Sequence, residues 1–277
     1  MALRGPRFYR GYHLLPHGWL NRAAALAMQS RLPPPLLRTL IERWIRRAGI
    51  IRADFEEREH RTLEEFFLRR LRPGARPLGE GITSAVDGVV ISAGQIEADT
   101  VLQVKSERLS IRRILEGSAS SEGPVHALVG GRYLVVFLTP DGYHYVHAPC
   151  SGTLLDVRHV PGRWFPQNPI ALEHRRGVYE KNDRAVLRFD SGGQERFLVM
   201  VGASLIGGIE LAGLDRARWV SRGVTPIGRA VVMGEELGHF RFGSTVILLL
   251  PPGAASACRV AEGDLVRMGQ GVFAGAG

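Results

Sequence analysis

Four side chains in this sequence carry groups able to make and break bonds. Ser244 follows Gly243 in the run Gly238-His239-Phe240-Arg241-Phe242-Gly243-Ser244-Thr245-Val246. A hydroxyl beside a glycine carbonyl is the junction that an N→O acyl shift requires, because glycine puts no side chain in the way of attack. The same residues also read as an ordinary turn entering a strand. His144 and His147 stand beside Tyr143 in Tyr143-His144-Tyr145-Val146-His147-Ala148-Pro149. Histidine titrates near neutral pH, so two in one short loop suit proton transfer. On a strand, residues three apart face opposite sides, whereas in a turn both converge. Asp87, in Ser84-Ala85-Val86-Asp87-Gly88, reads either as part of a hairpin turn or as a carboxylate that orients a histidine and stabilises its cation. The separation of Asp87, His147 and Ser244 along the chain is no obstacle, since such sets assemble in space.

The elements that must hold these residues differ along the chain. From about residue 83, short β-rich runs alternate with Gly, Pro, Asp and Asn: Val86–Ile91, Val101–Val104, Tyr133–Leu138, Thr153–Val160, Ala185–Phe189, Phe197–Val201 and Thr245–Leu250. Several are continuously apolar, which predicts burial on both faces. Residues 1–76 read as helical. After Pro33-Pro34-Pro35, apolar residues at 37, 40, 41, 44, 45 and 48 share one face, with Arg38, Glu42, Arg43, Arg46 and Arg47 on the other. An earlier helix is predicted over Trp19–Gln29. Thr62-Leu63-Glu64-Glu65 has the form of a capping box opening a helix to about Leu71, which Pro73-Gly74 ends. The fold class expected is α+β: N-terminal amphipathic helices, then a mostly-β catalytic body of barrel/sandwich-hybrid type. The expected division is a basic helical region at 1–76 and a β-rich domain at 77–277.

Charge follows the same division. The 277 residues hold 36 Lys+Arg and 27 Asp+Glu, a net +9. Residues 1–76 contain 16 Arg and seven acidic residues, so the whole excess lies there. An arginine-rich amphipathic region suits an anionic partner, nucleic acid or membrane surface. No apolar stretch approaches the ~20 residues of a spanning helix, and the N-terminus lacks a signal peptide's apolar core. The two cysteines, Cys150 and Cys258, form no metal-binding pattern, and no metal is expected. Only two lysines occur, Lys105 and Lys181, which leaves little for a lysine-bound cofactor.

Five segments in order resemble the phosphatidylserine decarboxylase family. They are Phe66–Pro77, Ser84–Val90, Tyr143–Pro149, Val201–Glu210 and Gly234–Val246, the last almost residue for residue. The resemblance implies a proenzyme that cuts itself between Gly243 and Ser244 into a β chain (1–243) and an α chain (244–277). Asp87, His147 and Ser244 would form the charge relay for that cut, and Ser244 would become a pyruvoyl group, the only cofactor. That group would form a Schiff base with phosphatidylserine and accept the electrons left by CO₂, giving phosphatidylethanolamine. His144 is the implied candidate for the decarboxylation step. Attachment would be peripheral, on the cytoplasmic face of the cell membrane, with a homodimer as a further partner and no nucleic acid. The alternatives are a pyruvoyl decarboxylase of a soluble amino acid and a catalytically silent membrane-binding homologue. Tyr145 stands where the family commonly has Arg, so Arg163 or another arginine is expected to hold the lipid phosphate.

Overall fold

The structure, a computed structural model, describes residues 17–97, 101–104, 107–116, 125–139, 142–167, 172, 175–203, 208–241 and 244–275. The chain begins with helices α1 (His17–Gln29) and α2 (Pro34–Ala48), a 3₁₀ turn at Arg52–Asp54, and α3 (Leu63–Phe67). Proline at the first helical position of α2 has no N–H to leave unsatisfied, so it starts the helix where the sequence predicts. Leu37 is buried, and Trp44 meets the ring of Phe66 edge-on at 5.5 Å. Thr62 caps α3 by accepting from Glu65 N at 3.1 Å. The Glu65 carboxylate reaches past the cap to Arg61 N, and α3 is one turn shorter than expected. Arg38, Arg43, Arg46 and Arg47 are exposed, and so are Leu26, Leu36 and Ile51.

The body is antiparallel β-structure. Its strands are β1 (Ile82–Thr83), β2 (Gly88–Gln95), β3 (Val101–Val104), β4 (Glu107–Ser110), β5 (Arg132–Leu138), β6 (Tyr145–His147), β7 (Gly152–Val160), β8 (Arg184–Ser191), β9 (Gln194–Gly202), β10 (Ile209–Leu211), β11 (Val224–Val231), β12 (Glu236–Phe240), β13 (Ser244–Leu250), β14 (Ala255–Cys258), β15 (Leu265–Val266) and β16 (Gly271–Gly275). Short helices α4 (Ile111–Glu116), α5 (Val178–Lys181) and α6 (Arg216–Arg222) lie between them. One eight-stranded sheet runs β11-β7-β8-β9-β13-β5-β2-β15, and a three-stranded sheet runs β10-β12-β6. The expected α+β class, with helices first and a β-rich body after, is the class observed. The sheets are open, and none closes into a barrel among the described residues.

β13 shows why the apolar runs are continuous. Its seven residues are all buried, and successive side chains point to opposite faces. Val246, Leu248 and Leu250 join a core with Leu134, Val136, Leu198 and Met200. Ile247 and Leu249 join a second core with Val135, Phe137, Val199 and Val201. A strand covered on both faces has no polar side to show, so no alternation appears in the sequence.

Asp87-Gly88 closes no hairpin. Gly88 is the first residue of β2, where a Cβ would stand 2.4 Å from the Phe137 carbonyl oxygen. Glycine is needed for that close approach, and it delivers Asp87 to the end of the strand.

Candidate active site

Ser244 is the first residue of β13, paired with Leu138 of β5 on one side and Gly202 of β9 on the other. It is 0% exposed, and Oγ has no hydrogen-bond partner among the described residues. The alternation along β13 puts it on the face of Val246 and Leu248. The core on that face also holds Val146 of β6 and Leu237 and Phe240 of β12. The three-stranded sheet that carries His147, with His144 just before β6, therefore packs on the face to which Ser244 points. Gly243 lies outside the described residues.

His144 and His147 enter at different points along that sheet. Phe240 N donates to the His144 carbonyl at 3.0 Å, while His147 is in register with Glu236. His144 thus lies at the Ser244 end of the pairing. Its ring lies 3.9 Å from that of Phe67 on α3, and Nδ1 donates to the Gly142 carbonyl at 3.1 Å. Arg69 Nη2 donates to the same carbonyl at 2.9 Å. A carbonyl only accepts, so the proton sits on Nδ1 and the lone pair on Nε2. That Nε2 is buried with no hydrogen-bond partner among the described residues. Burial first, and the Arg69 charge second, push the His144 pKa down to about 3, so the ring is neutral at physiological pH. The result is an available base beside an aromatic wall.

His147 is held at both nitrogens, by the Gly234 carbonyl at 2.8 Å from Nδ1 and the Tyr143 hydroxyl at 2.9 Å from Nε2. Burial lowers its pKa, against smaller raising effects of the Gly234 bond, Glu236 and Asp87. Asp87 is held by others. Arg76 Nη2 donates to Oδ2 at 2.7 Å, Arg76 Nε lies 3.2 Å from both oxygens, and Met268 N donates to Oδ1 at 2.8 Å. The second arm of Arg76 reaches Asp54 at 2.8 Å. Asp87 and His147 are near enough to interact through their charges, but no hydrogen bond joins them, and none joins His147 to Ser244. Among the described residues, no hydrogen bond joins any two members of the set read from sequence.

Several residues of the site were not singled out by sequence reasoning. Arg76 lies in a segment read only for its resemblance and its charge. Phe67 and Arg69 lie in the same segment. Gly234 acts through a backbone carbonyl, which no residue type announces. Tyr145, in place of a common arginine, donates to the Leu68 carbonyl at 3.0 Å and receives the Arg70 guanidinium over its ring at 4.7 Å. A guanidinium therefore stands near this loop, supplied by another segment. Arg163 is exposed, with its backbone joined to Lys181 and Asp183.

Buried histidines and a buried serine at the mouth of a central strand lie in a chain that a decarboxylase family model matches, which defines it as one of the carboxy-lyase class. The phosphatidylserine decarboxylase family model matches residues 63–274. Phosphatidylserine decarboxylase proenzymes from three bacteria are similar over nearly their full length. That of Marinobacter nauticus is 32% identical, covering 89% of this chain and 90% of its own. That of Brevibacillus brevis is 34% identical, covering 94% and 97%. That of Anaeromyxobacter sp. is 34% identical, covering 95% and 96%. The chain belongs to the phosphatidylserine decarboxylase family.

Proposed function

We propose that this chain is a phosphatidylserine decarboxylase proenzyme that cuts itself between Gly243 and Ser244. The observation that carries this reading is Ser244 itself. Its hydroxyl is fully buried, and unpaired among the described residues, at the mouth of β13, in a chain that matches the family over residues 63–274. A buried hydroxyl without a partner is destabilising in a static fold. A hydroxyl with no fixed partner is open to a base and to attack on its own preceding carbonyl.

In the cut, the Ser244 hydroxyl adds to the Gly243 carbonyl and the peptide nitrogen leaves, which turns the amide into an ester. His147 takes the hydroxyl proton and returns it to the departing nitrogen, and Asp87 favours the intervening cation through its charge. β-Elimination then frees the Gly243 carboxylate, and hydrolysis with loss of ammonia leaves a pyruvoyl group at residue 244. The residues present fit that group, because it is made from Ser244 in place and needs no lysine. Lys181 is exposed and donates to the Arg176 carbonyl. When formed, the group supplies an electron-accepting carbonyl for loss of CO₂ from an amino acid headgroup. His144 would stand beside the carbon that loses CO₂, its open Nε2 lone pair first taking up a proton and then passing it on, with Phe67 and Arg69 fixing its ring.

The substrate reading is phosphatidylserine in an anionic leaflet, with the enzyme docked peripherally on the cytoplasmic face. Its support is the exposed arginines of α2 beside exposed Leu26, Leu36 and Ile51. No helix among the described residues is long and apolar enough to cross a membrane.

Intact-mass measurement of the purified protein is the test. It should give two chains, of 243 and 34 residues, the shorter with a blocked N-terminus. Ser244→Ala should stay in one piece. A split at the same bond in that variant would end the proposal, as would a wild-type protein that never splits.

A further inference from the structure

The His147 ring is clamped between two groups whose chemistry fixes its proton. The Gly234 carbonyl, 2.8 Å from Nδ1, can only accept, so Nδ1 carries the hydrogen. The neutral ring then presents its lone pair at Nε2, and the Tyr143 hydroxyl, 2.9 Å away, donates into it. Both partners are themselves immobilised. Gly234 adopts φ +84°, where a Cβ would meet Leu78 at 2.8 Å, and its N–H donates to the Ala148 carbonyl. The Tyr143 ring is buried between Tyr145 (5.2 Å) and His147 (5.7 Å), stacked on both. Asp87, the carboxylate placed to orient this histidine, spends its oxygens on Arg76 and Met268.

We propose that Tyr143 is a positioning residue for His147, holding Nε2 as donor before the ring takes a proton and as acceptor afterwards. The inference rests on the self-cleavage reading above. Nε2 has a single lone pair, so the proton arrives along this bond: the Tyr143 O–H passes its hydrogen to Nε2 and takes the serine hydrogen in its place. The new N–H of the ring needs an acceptor, and the Tyr143 oxygen meets that need. A phenylalanine at 143 can play neither part. The bond to the cation is the stronger of the two, because one partner is charged. Loss of the hydroxyl therefore removes more from the protonated ring than from the neutral one.

The other charges facing His147 are Glu236, across the β6–β12 pairing, Asp87, and Arg70. All three are unchanged in Tyr143→Phe, so a shift is assignable to the hydroxyl.

The test uses the full chain in two backgrounds. In uncut Ser244→Ala, nitrogen NMR follows the His147 titration with and without Tyr143→Phe. The His147 pKa should fall further in the Phe variant. A merely loosened pocket would let water in and raise it toward the ordinary value of about 6.5. In the chain with Ser244 intact, Tyr143→Phe should slow self-cleavage by about tenfold to a hundredfold, the range expected for a lost charged hydrogen bond. An unchanged or raised pKa, or cleavage at the wild-type rate, overturns the assignment. Wild type that fails to split would sink the self-cleavage reading instead, and the titration in Ser244→Ala would still judge Tyr143.

Discussion

Arg76 closes on Asp87 with two nitrogens, 2.7 Å at the nearest, and carries Asp54 on its third. Its side chain is 5% exposed. One guanidinium thus joins the segment leading from the helices to the turn before β2, and Met268 N adds the far end of the chain. Asp87 is thus an aspartate held in place by an arginine.

Removing that arginine leaves two carboxylates facing each other in a poorly hydrated site. Arg76→Met should lower stability by roughly 3 kcal/mol, as broken buried pairs do. Urea unfolding of the Ser244→Ala chain measures it. Combined with Asp87→Asn, the double-mutant cycle should return a coupling of about 1 kcal/mol or more. Strict additivity would mean that the two side chains act independently.

His144→Ala is expected to be cut like wild type and to release no CO₂ from phosphatidylserine vesicles. A denaturing gel reads the first property and product analysis the second. An active variant would take His144 out of the decarboxylation step.

Acid should destabilise the fold through its buried histidines. The folded-state pKa of His144 lies near 3, against 6.5 when free, and those of His147 and His239 are also lowered by burial. Below about pH 6.5 the unfolded chain binds protons that the folded chain refuses, so stability drops as pH falls from there toward 3. The slope from His144 alone reaches about 1.4 kcal/mol per pH unit. Melting curves of Ser244→Ala between pH 7 and 5 should show it. Adding His144→Gln should flatten the slope, and an equal slope in both proteins would contradict this account.

Replacing Arg38, Arg43, Arg46 and Arg47 with Gln should weaken binding to phosphatidylserine vesicles by tenfold or more at low salt, since each basic residue near an anionic surface contributes about 1 kcal/mol. The wild-type affinity should fall as salt is added, the Gln variant's much less. Equal binding in co-sedimentation would place the docking charges elsewhere.

Much of this architecture was legible in the residues. Proline runs, arginine faces and the Thr62 cap predicted the helices to within a turn. Apolar runs without alternation predicted β5, β9 and β13 as strands buried on both faces. The site was legible only in part. Ser244, His144 and His147 advertise themselves by residue type, but Asp87 next to a glycine has the same spelling as a hairpin. Its glycine serves a close approach to Phe137 that depends on a strand 49 residues away. Gly234 contributes a carbonyl and Arg76 a partner 11 residues off, and neither contact follows any local periodicity. Long-range pairing decides them.

The position of β13 has a further consequence for the life of the molecule. It is flanked on both sides, by β9 and β5, along nearly its whole length. A chain cut before Ser244 keeps its shape because the short fragment is woven into the sheet. Unfolding such a protein is another matter, since the fragment then drifts away and its return becomes a second-order search. Refolding of an uncut chain would be independent of dilution, whereas a cut protein would show hysteresis, with recovery that depends on concentration. Its persistence would then be set by how slowly the sheet opens.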